Sequence, residues 1–288
     1  MTAKKNKFYV FNVKLQSDKK GSERIQAYET LIKSLTSTTR FTRLNKNEAI
    51  AMYKPYERSE KGVKYFYGSL GKGISFFDKD EIHVLDNNNI SSEPVKKNRI
   101  LEPIVGDYIF IPSIHRFALL CKPNSISLND FNKFLQDHLH KFVELPERIV
   151  IDFEKESSII QEIFKARAIY SLSYEISYSN NDALSAQGEL FDELLKENHI
   201  GDLKVTAQSD HRQEGMNISK VDFLGGGIEV AKRNGTIKHA AILPLGSDKV
   251  KNISNTEKPI ILDFEVLDDN DNITLRWFQR LLHIYKKN

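Results

Sequence analysis

Residues 8–15, "FYVFNVKL", decide how the rest of the chain is read. Tyr9, Phe11 and Val13 alternate with Asn12 and Lys14, and most of the stretch is aromatic or β-branched, which is the composition of a strand. Residues two apart share a face of a strand, so Asn12 and Lys14 fall opposite the aromatic set. A helix follows. Ser22 is placed to cap "SERIQAYETLIKSLT" (22–36), where Ile25, Tyr28, Leu31, Ile32 and Leu35 recur at helical spacing.

Working outward, "EAIAMYKPYE" (48–57), "GVKYFYGSLGKGISFF" (62–77) and "EIHVLD" (81–86) read as short strands separated by turns. Gly68, Gly71, Lys72 and Gly73 are expected in such a turn, and Asp86 to Arg99 as a polar loop. "DYIFIPSIHRFALLCKP" (107–123) is expected to be a hairpin bent at Pro112 and Ser113. The helix after it spans 127–143, with Phe131, Phe134, Leu135, Leu139 and Phe142 on one face.

Strands and helices then alternate: strand 148–153, helix 157–165, strand 168–178, helix 189–197, strand 202–208. "GGGIEVAKRNGTIKHAAILPL" (225–245) is expected to be a hairpin turning at Asn234 and Gly235, and "PIILDFEV" (259–266) one more strand. The last element is a basic amphipathic helix, 272–287. The predicted class is α+β, with mostly antiparallel sheets, flanking helices and two subdomains, 1–146 and 147–288. The Asn180 to Gly188 loop is an alternative boundary.

The chain has 288 residues, 40% of them hydrophobic, enough for a sizeable core. Its 42 Lys+Arg against 39 Asp+Glu give a net charge of only +3, so a polyanion-binding surface would have to be local. The single cysteine, Cys121, excludes an internal disulfide and a cysteine-based zinc site, and reads as a buried small hydrophobe. No run reaches the ~18 apolar residues of a membrane helix, and the N-terminus lacks a signal peptide's apolar core. A cytoplasmic protein without membrane insertion is expected.

The charge-bearing candidates are few. On the terminal helix Arg276, Arg280, His283 and Lys287 fall at i, i+4, i+7 and i+11, beside an apolar face of Ile273, Trp277, Leu281 and Ile284. Helix-dipole chemistry accounts for lysines at a C-terminus but not for two mid-helix arginines. Other basic groups are Lys4, Lys5 and Lys7; Lys14, Lys19 and Lys20; Arg40 and Arg43; Lys96, Lys97 and Arg99; and Lys232, Arg233 and Lys238. With Lys72 in its glycine turn, Arg276, Arg280, Lys287, Lys232 and Arg233 are the residues expected to hold phosphates.

Neither glycine run is a nucleotide fingerprint. Gly68 to Gly73 lacks the Walker spacing, and Gly225 to Gly227 lacks the strand-then-helix setting of a dinucleotide site. Asp152 and Glu154, two apart at a strand end, could share one Mg²⁺ and make a metal-dependent nuclease the alternative. His138 and His140 lie too far around a helix to share a metal, and His211 and Arg212 read as solvated loop residues. No resident metal or cofactor is expected. A third reading is a protein-interaction module anchored by Trp277 and Phe278.

The "GDYIF" strand (106–110), the phenylalanine-rich helix after it, "GELFDELL" (188–195) and the late hairpin before a basic helix occur in an order that resembles the RexA-like phage-exclusion proteins and related bacterial anti-phage proteins. The resemblance spans about residues 105–288 and rests on short matches, Gly106-Asp107 and Glu189-Leu190-Phe191-Asp192. It implies a dimeric, largely sequence-nonspecific DNA-binding protein that works with a partner effector in abortive infection. The matches include no catalytic motif, and no functional residue is carried over.

Overall fold

In a computed structural model, the described residues are 4–35, 41–76, 81–86, 89–94, 99–122, 125–144, 147–155, 158–177, 186–211, 213–216, 218–219, 223–256, 259–266 and 272–285. The strand predicted at 8–15 extends over Lys4–Gln16 as β1. It is followed by α1 (Gly21–Ser34), β2 (Phe41–Arg43), β3 (Glu48–Met52), β4 (Tyr56–Glu60), β5 (Val63–Ile74), β6 (Glu81–Asp86), β7 (Asn89–Pro94), β8 (Leu101–Ile111), β9 (Arg116–Cys121), α2 (Leu128–Leu139) and β10 (Arg148–Phe153). Then come α3 (Ser158–Lys165), β11 (Ala168–Ser177), α4 (Ala186–Glu197), β12 (Asp202–Gln208), α5 (Phe223–Asn234), β13 (Gly235–Leu243), β14 (Lys251–Ile253), β15 (Ile261–Val266) and α6 (Ile273–Tyr285). The class is α+β, and the strand pairs are antiparallel.

Two compact units form: Met1–Phe153 with Ile261–Lys286, and Glu154–Ile260. The division expected at residue 146 therefore moves to the end of β10, and the terminal helix belongs with the N-terminal unit. The cause is β1. Its first half pairs with β15 and its second half with β10, on the same side, so both strands are hydrogen-bonded into the first unit.

In that unit the strand order is β10-β1-β9-β8-β5-β3-β2, with β15 added on β1 and β4 on β5. β6 and β7 form a separate ribbon, so part of the loop expected at 86–99 is a strand. Phe11, Val13 and Leu15 share a core with Tyr28 and Ile32 of α1 and Phe131, Phe134 and Leu135 of α2. Phe8 and Val10 point the other way, into a cluster with Trp277, Phe278 and Leu281 of α6. Ser127 caps α2 by accepting from the Asp130 amide at 3.1 Å, whereas α1 starts after Lys20 rather than at Ser22.

The glycines at 68–73 lie inside β5, not in a turn. Each lets a neighbour approach the strand closely: a Cβ on Gly68 would sit 3.1 Å from the Tyr108 hydroxyl, and one on Gly71 3.1 Å from that of Tyr53.

The second unit is a sheet of order β12-β11-β13-β14. Leu172, Tyr174 and Ile176 of β11 share a core with Ile159, Ile160 and Ile163 of α3 and Phe191 and Leu195 of α4. The hairpin expected from Gly225 is instead a helix running directly into a strand, with Asn234-Gly235 at the junction. Leu224, Ile228 and Ala231 stand at i, i+4 and i+7, a helical stripe that fills the same core and outweighs the three glycines' poor helix propensity.

Gly227 is required by packing. A Cβ there would overlap the buried Tyr174 ring and hydroxyl, so that something would have to shift. Gly227→Ala, ordinarily worth about 1 kcal/mol in a helix's favour, is expected instead to destabilise by roughly 1–3 kcal/mol through overpacking. Thermal or urea unfolding of the variant checks this.

Candidate nucleic-acid interface

α6 carries no acidic side chain over its 13 residues. The Asn272 side-chain oxygen accepts from the Leu275 amide at 3.0 Å, capping its first turn. Trp277 packs near Phe8 and Phe264, and Phe278 stacks on Tyr65 with ring centroids 4.3 Å apart. Both are buried in the protein's own core, so neither is available as an anchor for a partner. The water-facing side of the helix presents Arg276, Gln279 and His283, at i, i+3 and i+7, with Ile273 also exposed rather than in the apolar face.

Arg280 departs from the expectation. It is half-buried, and its Nε donates to the main-chain carbonyl of Asp263 at 3.0 Å. Asp263 lies on β15, so the guanidinium binds the backbone of the strand beside it. Lys287 lies outside the described residues.

The remaining candidates separate in the same way. Lys232 is exposed on α5 of the second unit, and the Arg233 side chain lies outside what is described. Lys72 is not a phosphate ligand in a turn: its ammonium pairs with Asp130 of α2 at 3.0 Å, each side chain about a quarter exposed. Lys5 pairs with Asp263 at 2.9 Å, Lys19 with Glu147, and Lys238 with Glu175 at 3.2 Å. Several cations that read as free in the sequence are thus matched within the chain.

The two carboxylates of the alternative reading are placed differently. Asp152 Oδ2 binds the Lys14 ammonium at 3.3 Å, and the strand ends at Phe153, so Glu154 is not the next residue of that face. Among the described residues no group of three or more His, Cys, Asp or Glu could hold a metal. His138 is buried against the Thr42 hydroxyl at 3.0 Å, and His140 bonds Gln136 at 2.8 Å, so neither histidine joins a site. His211 is exposed, and Arg212 lies outside the described residues.

One arrangement was not legible from the sequence. Asn12, Lys14 and Gln16 follow Phe8 and Val10 on the inner face shared with α6, and all three are buried, as is Arg116 of β9. Arg116 Nη1 donates to the Asn12 side chain at 2.9 Å and to the Ile114 carbonyl at 3.1 Å. Its guanidinium lies over the Tyr285 ring, 4.8 Å from the centroid, in the last turn of α6. Buried cations are tolerated only when their charge is matched and their donors are used. The cluster fastens the end of α6 to the sheet, which fixes the side that Arg276 and His283 show to water. Alternation along β1 hid it, because a strand buried on both faces carries the same pattern as a strand with one wet face.

Cys121 is half-buried rather than enclosed, and burial raises its thiol to about 11, against a weaker opposing effect from the Tyr9 hydroxyl. It is held as a neutral thiol.

Two outcomes follow from these contacts. Asp152→Asn leaves the buried Lys14 ammonium without its carboxylate and should cost about 1–3 kcal/mol, below the fully buried range because Asp152 is 43% exposed, while Lys14→Met, removing the desolvated charge itself, should cost less. Urea unfolding of both variants makes the comparison. Alkylation of Cys121 in the folded protein should be slow at neutral pH and rise roughly tenfold per pH unit until pH reaches about 11, whereas the denatured chain should follow an ordinary thiol.

A profile of the DUF4747 family, described as a domain of unknown function, matches residues 4–283. No curated protein matches the chain. That match takes in both units, nearly from the first strand to the end of α6, and the chain belongs to the DUF4747 family.

Proposed function

We propose that this protein binds the phosphate backbone of nucleic acid, with little base preference, through the water-facing edge of α6. The observation that carries the reading is a helix with no carboxylate, held by its apolar side, that presents Arg276, Gln279 and His283 at i, i+3 and i+7. Arginine and amide side chains donate to phosphate oxygens from such a surface without reading bases. Lys232, exposed on α5, is a separate candidate within the second unit.

DNA is the ligand class of this reading, and the resemblance to RexA-like phage-exclusion proteins supports extending it to a cytoplasmic homodimer that works with an effector partner in anti-phage defence. Among the described residues no helix is long and apolar enough to cross a membrane. The phosphate-binding reading is preferred to a nuclease centred on Asp152 and Glu154 because Asp152 already pairs with Lys14.

The test is fluorescence anisotropy of a labelled DNA duplex titrated with protein at two salt concentrations. Arg276→Glu combined with His283→Glu should weaken binding by tenfold or more and lower the slope of log K against log salt by about 1–2, with an unchanged melting temperature. Arg280→Ala should act mainly on stability, through the lost bond to β15. Salt-independent binding, or a double variant that binds like the wild type, overturns the reading.

A further inference from the structure

The second unit bears an apolar surface that the proposed function does not use. Leu190 and Leu194 are 67% and 50% exposed, and Phe223, the first residue of α5, is 57% exposed. The two leucines stand at i and i+4 on α4, so they form one stripe. Their neighbours Phe191 and Leu195 are buried in the unit's core, and the Phe191 ring lies 5.1 Å from that of Phe223, which carries the apolar surface from α4 onto α5. Soluble proteins rarely leave neighbouring large apolar side chains this open unless something covers them.

Charge identifies the occupant. Glu193 and Glu197 are exposed and lie beside the leucine stripe, at i+3 and i+7 from Leu190, with Glu189 exposed on the same side. An apolar stripe with a carboxylate row along one flank repels nucleic acid and anionic lipid. A second copy of the same helix would set one carboxylate row against the other when packed antiparallel, and would offer neither row a line of cations when packed parallel. A segment with its own apolar stripe and a lysine or arginine row satisfies both features at once.

We infer that α4 and the start of α5 form a docking surface for a basic amphipathic helix of a partner protein. Leu190, Leu194 and Phe223 receive its apolar side, and Glu193 and Glu197 pair with its cations at the rim.

Two fluorescein-labelled synthetic helical peptides test this on the full chain by anisotropy. They share leucines at i, i+4, i+7 and i+11; one carries lysines on the flanks and the other glutamates. The lysine peptide is expected to bind at least tenfold more tightly than the glutamate peptide. Leu190→Ser with Leu194→Ser should abolish that binding, and Glu193→Lys with Glu197→Lys should reverse the preference. Each variant alters exposed side chains, and circular dichroism confirms that it is folded. The charge-swapped pair retains the leucines, so it remains decisive if the serine pair unfolds. Equal binding of both peptides, or lysine-peptide binding untouched by the leucine and glutamate substitutions, overturns the proposal. Sedimentation velocity provides the remaining arm: a self-associated wild type made monomeric by the leucine substitutions, without peptide binding, assigns the face to a second copy and also overturns it.

Discussion

β1 is hydrogen-bonded along both edges and covered on both faces. β9 takes one edge, β15 and β10 share the other, α1 and α2 cover one face and α6 the other. Everything else in the first unit is placed relative to that strand. Such double coverage is usual for parallel sheets beneath crossover helices and less so for an antiparallel one, which commonly leaves a wet face. Here the terminal helix makes the difference, since burying Trp277, Phe278 and Leu281 against Phe8 and Val10 removes the last open face of the central strands.

That enclosure has an electrostatic cost, which the structure meets locally. Lys14 and Arg116 lie where an isolated charge would be prohibitive. Asp152 answers one, and Asn12, the Ile114 carbonyl and the Tyr285 ring answer the other. The same logic runs across the surface in weaker form: Lys5, Lys72 and Lys238 each face a carboxylate of the chain. A count of lysines overstates the electropositive surface, and α6 stands out as a helix whose own sequence holds no acidic side chain.

Where a segment's pattern is set by its own side chains, the sequence is a good guide. The period-two run at Arg148–Phe153, the short helix after it and the strand at Ala168 are legible because each buries one face and changes period at a clear boundary. Gly225 to Asn234 misleads because Ile228 and Val230 alternate like strand residues, and the helix becomes evident only once Tyr174 is seen to need the space beside Gly227. Gly68 to Gly73 misleads for the related reason that close approach by Tyr108 and Tyr53 is a tertiary fact. The candidate site divides likewise. The i, i+4 spacing of Arg276 and Arg280 is plain in the sequence, but their different fates depend on where β15 runs, hundreds of residues from the strand it joins.

The return of β15 to β1 also orders events during synthesis. Lys4–Tyr9, the first part of the sheet's central strand, have one hydrogen-bonding edge completed by Ile261–Val266, made only after all of Glu154–Ile260 has been synthesised. Until then the nascent chain carries an open strand edge and the uncovered side of Phe8 and Val10, both prone to pairing with the wrong strand. A unit inserted in the chain between two strands of one sheet can reach its own fold first, and the interval it takes to be made is the interval in which the unfinished sheet needs shelter.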